Sequence, residues 1–262
     1  MHWLTLIDGW RTWMIAAGRP QTTVRLRTYQ LRRFAEIHPV ASPSSVMVEW
    51  LAGREWAPET MKSYRAALSS FYRWAHRQGH VTVDPTVDLP TIRTPRRTPR
   101  PAPEAVLDAA LVKASPRTRL MVQLAGYHGM RRGEIARVHT DDLLQDLAGW
   151  SLIVHGKGAK DRVIPLADDV ADELRQLARG WVFPSPAGGP LTAQHVGKLV
   201  ARVLPEQWTC HTLRHRFATR AYAGTRNMFA VQEMLGHSRP ETTRGYVLIP
   251  QDDLRATLRS AA

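Results

Sequence analysis

Basic side chains, histidines and a tyrosine recur among apolar residues in four stretches of the later part of the chain. These stretches are GMRRGEIARV, HGKGAKDRVIPL, HTLRHRFAT and LGHSRPETTRGY. Guanidinium groups stay charged at any working pH and present forked donors to anionic oxygens. Histidine exchanges protons near neutral pH, and tyrosine becomes a nucleophile where its phenolate is stabilised. These residue types suit the attack of a phenol on a phosphodiester.

The order and spacing of the four stretches resemble the tyrosine recombinase, or phage integrase, family, whose pattern is Arg, Lys, His-x-x-Arg, His and Tyr. The resemblance covers nearly the whole later domain, and the helical earlier domain resembles the family's core-binding domain more loosely. It implies a site-specific DNA recombinase that cleaves and rejoins DNA through a 3′-phosphotyrosine intermediate. The catalytic residues that it implies are Arg131, Lys157, His211, Arg214, His237 and Tyr246.

The resemblance also implies what these residues do. The two arginines and the histidines donate hydrogen bonds to non-bridging phosphate oxygens, on which negative charge develops. His211 is a candidate to accept the phenolic proton, and Lys157 to protonate the departing 5′-hydroxyl. Because attack by Tyr246 conserves the bond energy in a phosphotyrosine ester, we expect no cofactor, neither a metal nor a nucleotide.

Neighbouring residues compete for some of these roles. Arg132 points about 100° around a helix from Arg131, which takes the role by motif alone. Lys160 is the local competitor of Lys157, and an exposed hairpin lysine is the ordinary interpretation of such a residue. His215 also fits the motif and is interpreted as a packing or hydrogen-bonding residue.

Other activities account for fewer of these features. A nucleotide P-loop does not fit the sequence GKG, since Ser151 occupies the first glycine position and Gly158 the Ser/Thr position. A DNA-binding protein without catalytic activity would share the charge and the helices but would have no need of Lys157, His237 and Tyr246 at these spacings. A type IB topoisomerase shares the chemistry, but the compact helical earlier domain and the motif sequences favour a recombinase.

A zinc site is the remaining alternative. His211 and His215 have the His-x-x-x-His spacing, and Cys210 and His237 are possible further ligands. Thr212, however, stands where a zincin has glutamate. The sequence therefore predicts no metal site.

Hydrophobic periodicity, prolines and glycines predict the elements that position these residues. Before residue 90, helices are predicted at Trp3–Ala17, Thr23–Ile37, Ser44–Leu51 and Pro58–Gly79. After residue 102, they are predicted at Pro103–Ala114, Pro116–Tyr127, Ala167–Arg179, Thr192–Leu204, His211–Ala223, Met228–Leu235 and Glu241–Val247. WSLIVHG and DRVIPL are predicted to be two strands joined by the turn that carries Lys157. Glu134 is predicted either to order the turn after Arg131 or to serve as an acid at a helix N-terminus. The predicted fold class is mainly α with a small antiparallel β-sheet.

The segment TIRTPRRTPRPAP, Thr91 to Pro103, divides the chain. It contains four prolines, four arginines and no acidic residue, and proline disfavours both helices and central strands. We therefore predict a helical DNA core-binding domain at residues 1–90, a basic linker at 91–103 and a catalytic domain resembling that of tyrosine recombinases at 104–262.

Charge points to DNA as the partner. The chain has 36 basic and 23 acidic residues, a net charge of +13, and phosphate neutralisation dominates binding to nucleic acids. A basic stripe follows the helix from Pro58, and the linker is basic too; a purely solvated surface is the alternative for both. The predicted DNA contacts are Lys62, Arg65, Arg73, Arg93, Arg96, Arg97 and Arg100.

The sequence also gives expectations about the cellular compartment of the protein and about its assembly. Cys210 is the only cysteine, which fits a reducing cytoplasm, and neither a signal peptide nor an apolar membrane span is found. The resemblance implies a short recombinase without an arm-binding domain that binds double-stranded core sites as a homotetramer. Phage integration, dimer resolution and transfer of a mobile element all remain open at this point.

Overall fold

The computed structural model describes residues 2–95, 98–156 and 161–236. The chain divides into two compact units, Met1–Arg96 and Arg97–Ala262, and the division falls inside the predicted linker. The predicted helix Glu241–Val247 lies outside the described residues. So do several predicted site residues and one competitor: Arg96, Arg97, Lys157, Lys160, His237 and Tyr246.

The first unit packs four helices around an aromatic core. They are α1 (Trp3–Ala16), α2 (Gln21–Ala35), α3 (Ser44–Ala52) and α4 (Pro58–Arg77). Proline at the first position of α4 suits a helix start, and Gly79, with φ of +72°, turns the chain after the helix. The largest fully buried aromatic side chains are Trp10, Phe34, Phe71 and Tyr72. The four predicted helices are confirmed, with ends that differ by two residues or fewer.

The outer stripe predicted on α4 reaches solvent only in part. Lys62 and Arg73 are exposed. Arg65, in contrast, donates from Nη2 to the carbonyl of Leu89 at 2.8 Å, and the hydroxyl of Ser69 is buried. Arg65 therefore braces the segment that follows α4, which a helical wheel alone does not reveal.

The second unit contains seven α-helices, one short 3-10 helix (Thr140–Asp142) and a sheet within its described residues. The helices are α5 (Glu104–Lys113), α6 (Pro116–Gly126), α7 (Arg132–Ile135), α8 (Asp168–Arg175), α9 (Ala193–Val203), α10 (Cys210–Thr225) and α11 (Met228–Leu235). The strands β1 (Leu143–Asp146), β2 (Gly149–His155) and β3 (Asp161–Pro165) form an antiparallel sheet in the order β1-β2-β3. The predicted fold class, mainly α with a small antiparallel sheet, is confirmed.

Two details of the second unit differ from the predictions. Strand β1 was not predicted, because its sequence LLQD is short and its side chains are largely exposed. Helix α8 was predicted to reach Arg179 but ends at Arg175. The chain is drawn away after α8, since Arg179 pairs with Asp141 at 2.8 Å and the carbonyl of Gly180 accepts from the amide of Thr140 at 3.0 Å.

The end of the predicted linker packs onto α10. The amide of Ala102 donates to the carbonyl of Thr212 at 3.1 Å, and Ala102 is buried. The guanidinium of Arg100 lies 4.8 Å from the ring centre of Trp208, as in a cation–π contact. This part of the linker is thus attached to the helix that carries His211 and Arg214. No helix in the described ranges is both long and apolar enough to cross a bilayer.

Candidate active site

Arg131 is held at the turn between α6 and α7. It occupies the N-cap of α7, where its own amide donates to Oε2 of Glu134 at 2.8 Å and its Nη1 donates to Oε1 at 2.6 Å. The chain reaches this turn through Gly129, which has φ of +65°. A Cβ at Gly129 would lie 2.4 Å from the ring of Phe217, so only glycine fits there. Glu134 thus orders the turn and is also the acid in the first turn of α7, so it has both of its predicted roles.

Glu134 is a buried carboxylate shared by three arginines. Besides Arg131, it accepts from Nη1 and Nη2 of Arg162 at 3.1 and 2.8 Å, and Nη1 of Arg214 lies 3.8 Å from its Oε2. Burial alone would raise the pKa of Glu134. The hydrogen bonds and charge of Arg162, assisted by Arg131, outweigh burial and lower this pKa to about 2. The carboxylate is therefore ionised at any pH at which the protein works.

Arg214 is fully buried in α10. Its Nη1 donates to the carbonyl of Gly129, beside Arg131, and its Nη2 donates to the carbonyl of Leu235 at 2.7 Å. A buried guanidinium costs several kcal/mol to desolvate unless it is paired and hydrogen-bonded. These bonds and the nearby Glu134 supply the compensation and fix the orientation of Arg214.

Arg131, His211 and Arg214 line one cleft of the second unit, with a volume of about 760 Å³. Exposed basic side chains, Arg132, Arg137 and Lys198, share this cleft. His211 is exposed in the first turn of α10, while Arg214 lies one turn deeper. Three residues from two separate motifs therefore converge on a cleft with a strongly basic lining.

His211 is hydrogen-bonded to His215. Their Nε2 atoms are 3.2 Å apart, and Nδ1 of His215 accepts from the amide of Arg100 at 3.1 Å. Because Nδ1 of His215 is the acceptor, its proton lies on Nε2 and is donated to His211. His211 then carries its own proton on Nδ1 and can donate a hydrogen bond from that atom. His215 accordingly has the packing and hydrogen-bonding role that was expected of it.

Acid should weaken the folded state through His215. Burial, followed by the charges of His211 and Arg214, lowers the pKa of His215 from 6.5 to about 4. The unfolded chain therefore binds the proton more readily, so stability is fully present above pH 6.5 and declines as the pH falls toward 4. Urea midpoints measured across this range should fall with pH.

A matched variant isolates this contribution. His215→Asn keeps an acceptor for the amide of Arg100 but does not titrate, so its urea midpoint should depend less on pH. Burial also lowers the pKa of His128. The urea midpoints of both proteins should therefore keep some dependence on pH. Equal slopes for the two proteins would contradict the assignment to His215.

Lys157, His237 and Tyr246 lie outside the described residues, but their neighbours in the sequence are described. The strands on either side of Lys157 end at the pair His155 and Asp161. His155 lies 3.0 Å from Asp142 and 3.1 Å from Asp161, and these carboxylates raise its pKa against the opposing effect of burial. His237 follows Gly236 directly in the sequence.

Two residues of this region were missed in the sequence. Arg162 shares a strand face with Ile164 and Leu166, both buried. In a strand whose side chains alternate between core and solvent, a charged residue at a position that faces the core indicates a buried charge with a partner. The sequence of β3 contains this pattern, so a buried role for Arg162 could have been predicted. Lys198 lies on the exposed side of α9, and only the tertiary packing brings it to the cleft.

Of the four residues considered as zinc ligands, His211, His215 and Cys210 are described, while His237 lies outside the described residues. His211 faces His215, and burial raises the pKa of the Cys210 thiol to about 12. Throughout the part of the chain that the structure describes, no three His, Cys, Asp or Glu side chains are grouped so that they could hold a metal ion.

A second basic surface lies in the first unit. We call it the arginine groove: Arg19, Arg27, Arg73 and Arg77 line it, with Trp13 and Trp74, around about 640 Å³. Nη1 of Arg27 donates to Ser70 at 3.1 Å, and burial and the charge of Arg19 lower the pKa of Arg27. Of the predicted DNA contacts, Arg73 lies in this groove, while Lys62 and Arg93 are exposed elsewhere.

A model of the phage integrase family matches residues 103–251, more than half of the chain. The chain belongs to the phage integrase family. All six residues predicted to be catalytic lie within the matched range. The chain is thus a site-specific recombinase, an enzyme of DNA strand exchange.

Individual relatives agree with the family match. The recombinase is 30% identical to tyrosine recombinase XerD of Staphylococcus saprophyticus, over 75% of this chain and 74% of XerD. It is 27% identical to tyrosine recombinase XerC 2 of Ralstonia nicotianae, over 93% and 81% of the two chains. In fold it resembles a lambda integrase dimer bound to a COC′ core site, with a TM-score of 0.75 at 20% identity over 94% of this chain and 77% of that one.

Proposed function

We propose that this recombinase cleaves and rejoins double-stranded DNA through a 3′-phosphotyrosine bond to Tyr246. The observation that carries the proposal is the convergence of Arg131, His211 and Arg214 on one basic cleft. These residues come from two motifs that are 80 positions apart in the sequence, since Arg131 precedes His211 by that distance. A protein that only bound DNA would have no need to collect donors of this kind at one point.

The proposed chemistry is electrostatic. Arg131 and Arg214 donate to the non-bridging oxygens of the phosphate, where charge increases as the phenol attacks. Their orientation is fixed before DNA arrives, because Glu134 and backbone carbonyls already hold them. His211 adds a donor through Nδ1. Because its Nε2 accepts from His215, it does not take up the phenolic proton of Tyr246 as expected from the sequence, and we propose that this proton passes to water. Lys157 donates a proton to the departing 5′ oxygen, which becomes a hydroxyl, and His237 adds a further donor.

The proposed partner is a duplex core site. Basic residues of the cleft and of the arginine groove would neutralise its phosphates. The related lambda integrase has been solved as a tetramer bound to a Holliday junction. By analogy, we propose that four copies of this chain join two DNA sites, and that they do so in the cytoplasm of a bacterial cell.

Covalent capture tests the proposal even though the target sequence is unknown. The full chain is incubated with randomised duplexes that carry a nick, in buffer with EDTA, and adducts that survive SDS are recovered and sequenced. We expect adducts that join a DNA 3′ end to the peptide containing Tyr246. Complexes that all dissociate in SDS would instead indicate a DNA-binding protein.

The recovered sequence then separates two kinds of strand transfer. If the enzyme recombines specific sites, two duplexes that both contain the recovered sequence should exchange strands. Relaxation of supercoiled plasmids that lack it, without any strand exchange, would favour the topoisomerase alternative.

The arginine groove yields a separate prediction. Replacing Arg73 and Arg77 with alanine should weaken DNA binding and reduce the slope of log affinity against log salt by about 0.9 for each phosphate that is no longer neutralised. Arg25→Ala with Arg33→Ala removes the same charge outside the groove. Equal effects in the two double variants would show that net charge, not the groove, is responsible.

A further inference from the structure

The guanidinium of Arg162 joins two parts of the second unit. Its Nη1 and Nη2 donate to the two carboxylate oxygens of Glu134, the residue that holds Arg131. Its Nε donates to the carbonyl of Met234 at 2.8 Å, in the last turn of α11. One side chain therefore connects the turn of Arg131 with the end of α11.

The end of α11 is fitted around this guanidinium. Gly236 has φ of +61°, and a Cβ there would lie 2.9 Å from Cδ and 3.0 Å from Nη1 of Arg162. Arg214 donates to the adjacent carbonyl, that of Leu235. Carbonyls at a helix C-terminus lack intrahelical partners and carry partial negative charge. Two buried cations therefore fix the point at which the chain leaves α11.

The contact between Arg162 and the end of α11 bears on the proposed reaction because of the residues that follow α11 in the sequence. His237 comes directly after Gly236, and Tyr246 comes nine positions later. The carbonyls bound by Arg162 and Arg214 are thus the last described anchor before the two residues to which the proposed reaction assigns phosphate binding and attack.

We propose that Arg162 is a positioning residue of the reaction: it orients Arg131 through Glu134 and sets the exit of the chain from α11. Its side chain is only 5% exposed, so it acts through these neighbours and not on DNA. The inference rests on the proposed function for the roles of Arg131 and Tyr246. The contacts themselves stand independently of it.

Arg162→Lys is the informative variant. Lysine keeps a positive charge beside Glu134, so the buried carboxylate retains a counter-charge and folding is favoured. An ammonium group, however, lacks the planar fork that reaches Glu134 and Met234 at once. Arg179→Lys is the matched control, because Arg179 makes a forked pair with the exposed Asp141 and does not contact Glu134.

Hydrogen exchange tests the anchor without DNA. In Arg162→Lys, amides in the last turn of α11 should exchange about tenfold faster, the factor expected when one hydrogen bond to a charged group is removed. Arg179→Lys should leave α11 unchanged. Unchanged exchange in Arg162→Lys would overturn the inference, whether or not the protein cleaves DNA.

Single-turnover cleavage tests the role in the reaction. On the captured nicked duplex, Arg162→Lys should bind as the wild type does but cleave about a hundredfold more slowly, the cost of a small misplacement of reacting groups. Leu174→Ala removes a buried side chain of α8 and controls for lower stability; while folded, it should cleave normally. Wild-type cleavage by Arg162→Lys would overturn the positioning role and leave the proposed function intact.

Gly236→Ala disturbs the same contact by changing the residue that lies against the guanidinium and not Arg162 itself. The added methyl group must displace the guanidinium of Arg162, so slow cleavage and fast exchange at α11 should both appear. Gly188→Ala imposes similar backbone strain, at φ of +84°, but its Cβ meets no atom within 4 Å. If the two alanine variants behave alike, strain and not Arg162 is responsible, and the inference fails. Absence of any Tyr246 adduct in the wild type would refute the proposed function, while hydrogen exchange would still decide the anchor.

Discussion

Replacing Tyr246 with phenylalanine is expected to abolish the covalent protein–DNA adduct while leaving DNA binding intact. Phenylalanine has the same ring but no oxygen, so no phosphotyrosine ester can form. The arginines and histidine that line the cleft are unchanged, and they supply the attraction to phosphate. The measurement is adduct yield on a denaturing gel beside a binding titration with the same nicked duplex.

Tyr222→Phe is the matched control for this experiment. Tyr222 lies in α10 and packs partly buried beside Phe217 and its neighbours, so the same oxygen is removed from another tyrosine of the same unit. It should form adducts as the wild type does. An adduct that persists in Tyr246→Phe would place the nucleophile on another residue, which peptide mapping would then identify.

Replacing Glu134 with alanine is expected to destabilise the second unit by about 3–5 kcal/mol, the usual cost of removing one partner from a buried ion pair. Arg162 would lose both of its carboxylate acceptors, and Arg214 would lose the carboxylate that lies 3.8 Å from its Nη1. Urea unfolding followed by circular dichroism measures the effect. Because the same substitution releases Arg131, cleavage should also slow in the fraction that remains folded.

Two comparisons make this prediction specific. Asp141→Ala removes a carboxylate from the exposed pair with Arg179 and should change stability little, since water already solvates both groups. Glu134→Ala combined with Arg162→Met removes both members of the buried Glu134–Arg162 pair and should recover part of the stability, because apolar replacement of a buried pair is often tolerated. A double variant less stable than Glu134→Ala alone would show that the charge imbalance is not the main cost.

The sequence was sufficient for most of the fold because periodicity reports local burial. Helix α11 was predicted with both ends correct, and β2 and β3 followed from their alternating residues. Strand β1 was missed because LLQD buries little and so carries no pattern. The end of α8 was missed because backbone contacts with residues distant in the sequence, Gly180 with Thr140 and Trp181 with His139, hold the chain that follows it.

The candidate site was less accessible to the same reasoning. Motif order selected Arg131, His211 and Arg214, and the structure places them on one cleft. Spacing could not show that a single carboxylate holds two of these arginines together with Arg162, because that arrangement joins α7, β3 and α10. The attachment of Arg100 to His215 was hidden for the same reason, since the linker appeared to be only a basic connector.

Sharing one carboxylate among three guanidiniums also limits how this gene can diverge. A change at Glu134 or at Arg162 alone leaves the other member of this buried ion pair without its partner, whereas a joint change to apolar residues removes both and leaves Arg214 to its backbone acceptors. The two positions are therefore an epistatic pair. In directed evolution that begins from a lesion at one of them, second-site suppressors are expected to accumulate at the other.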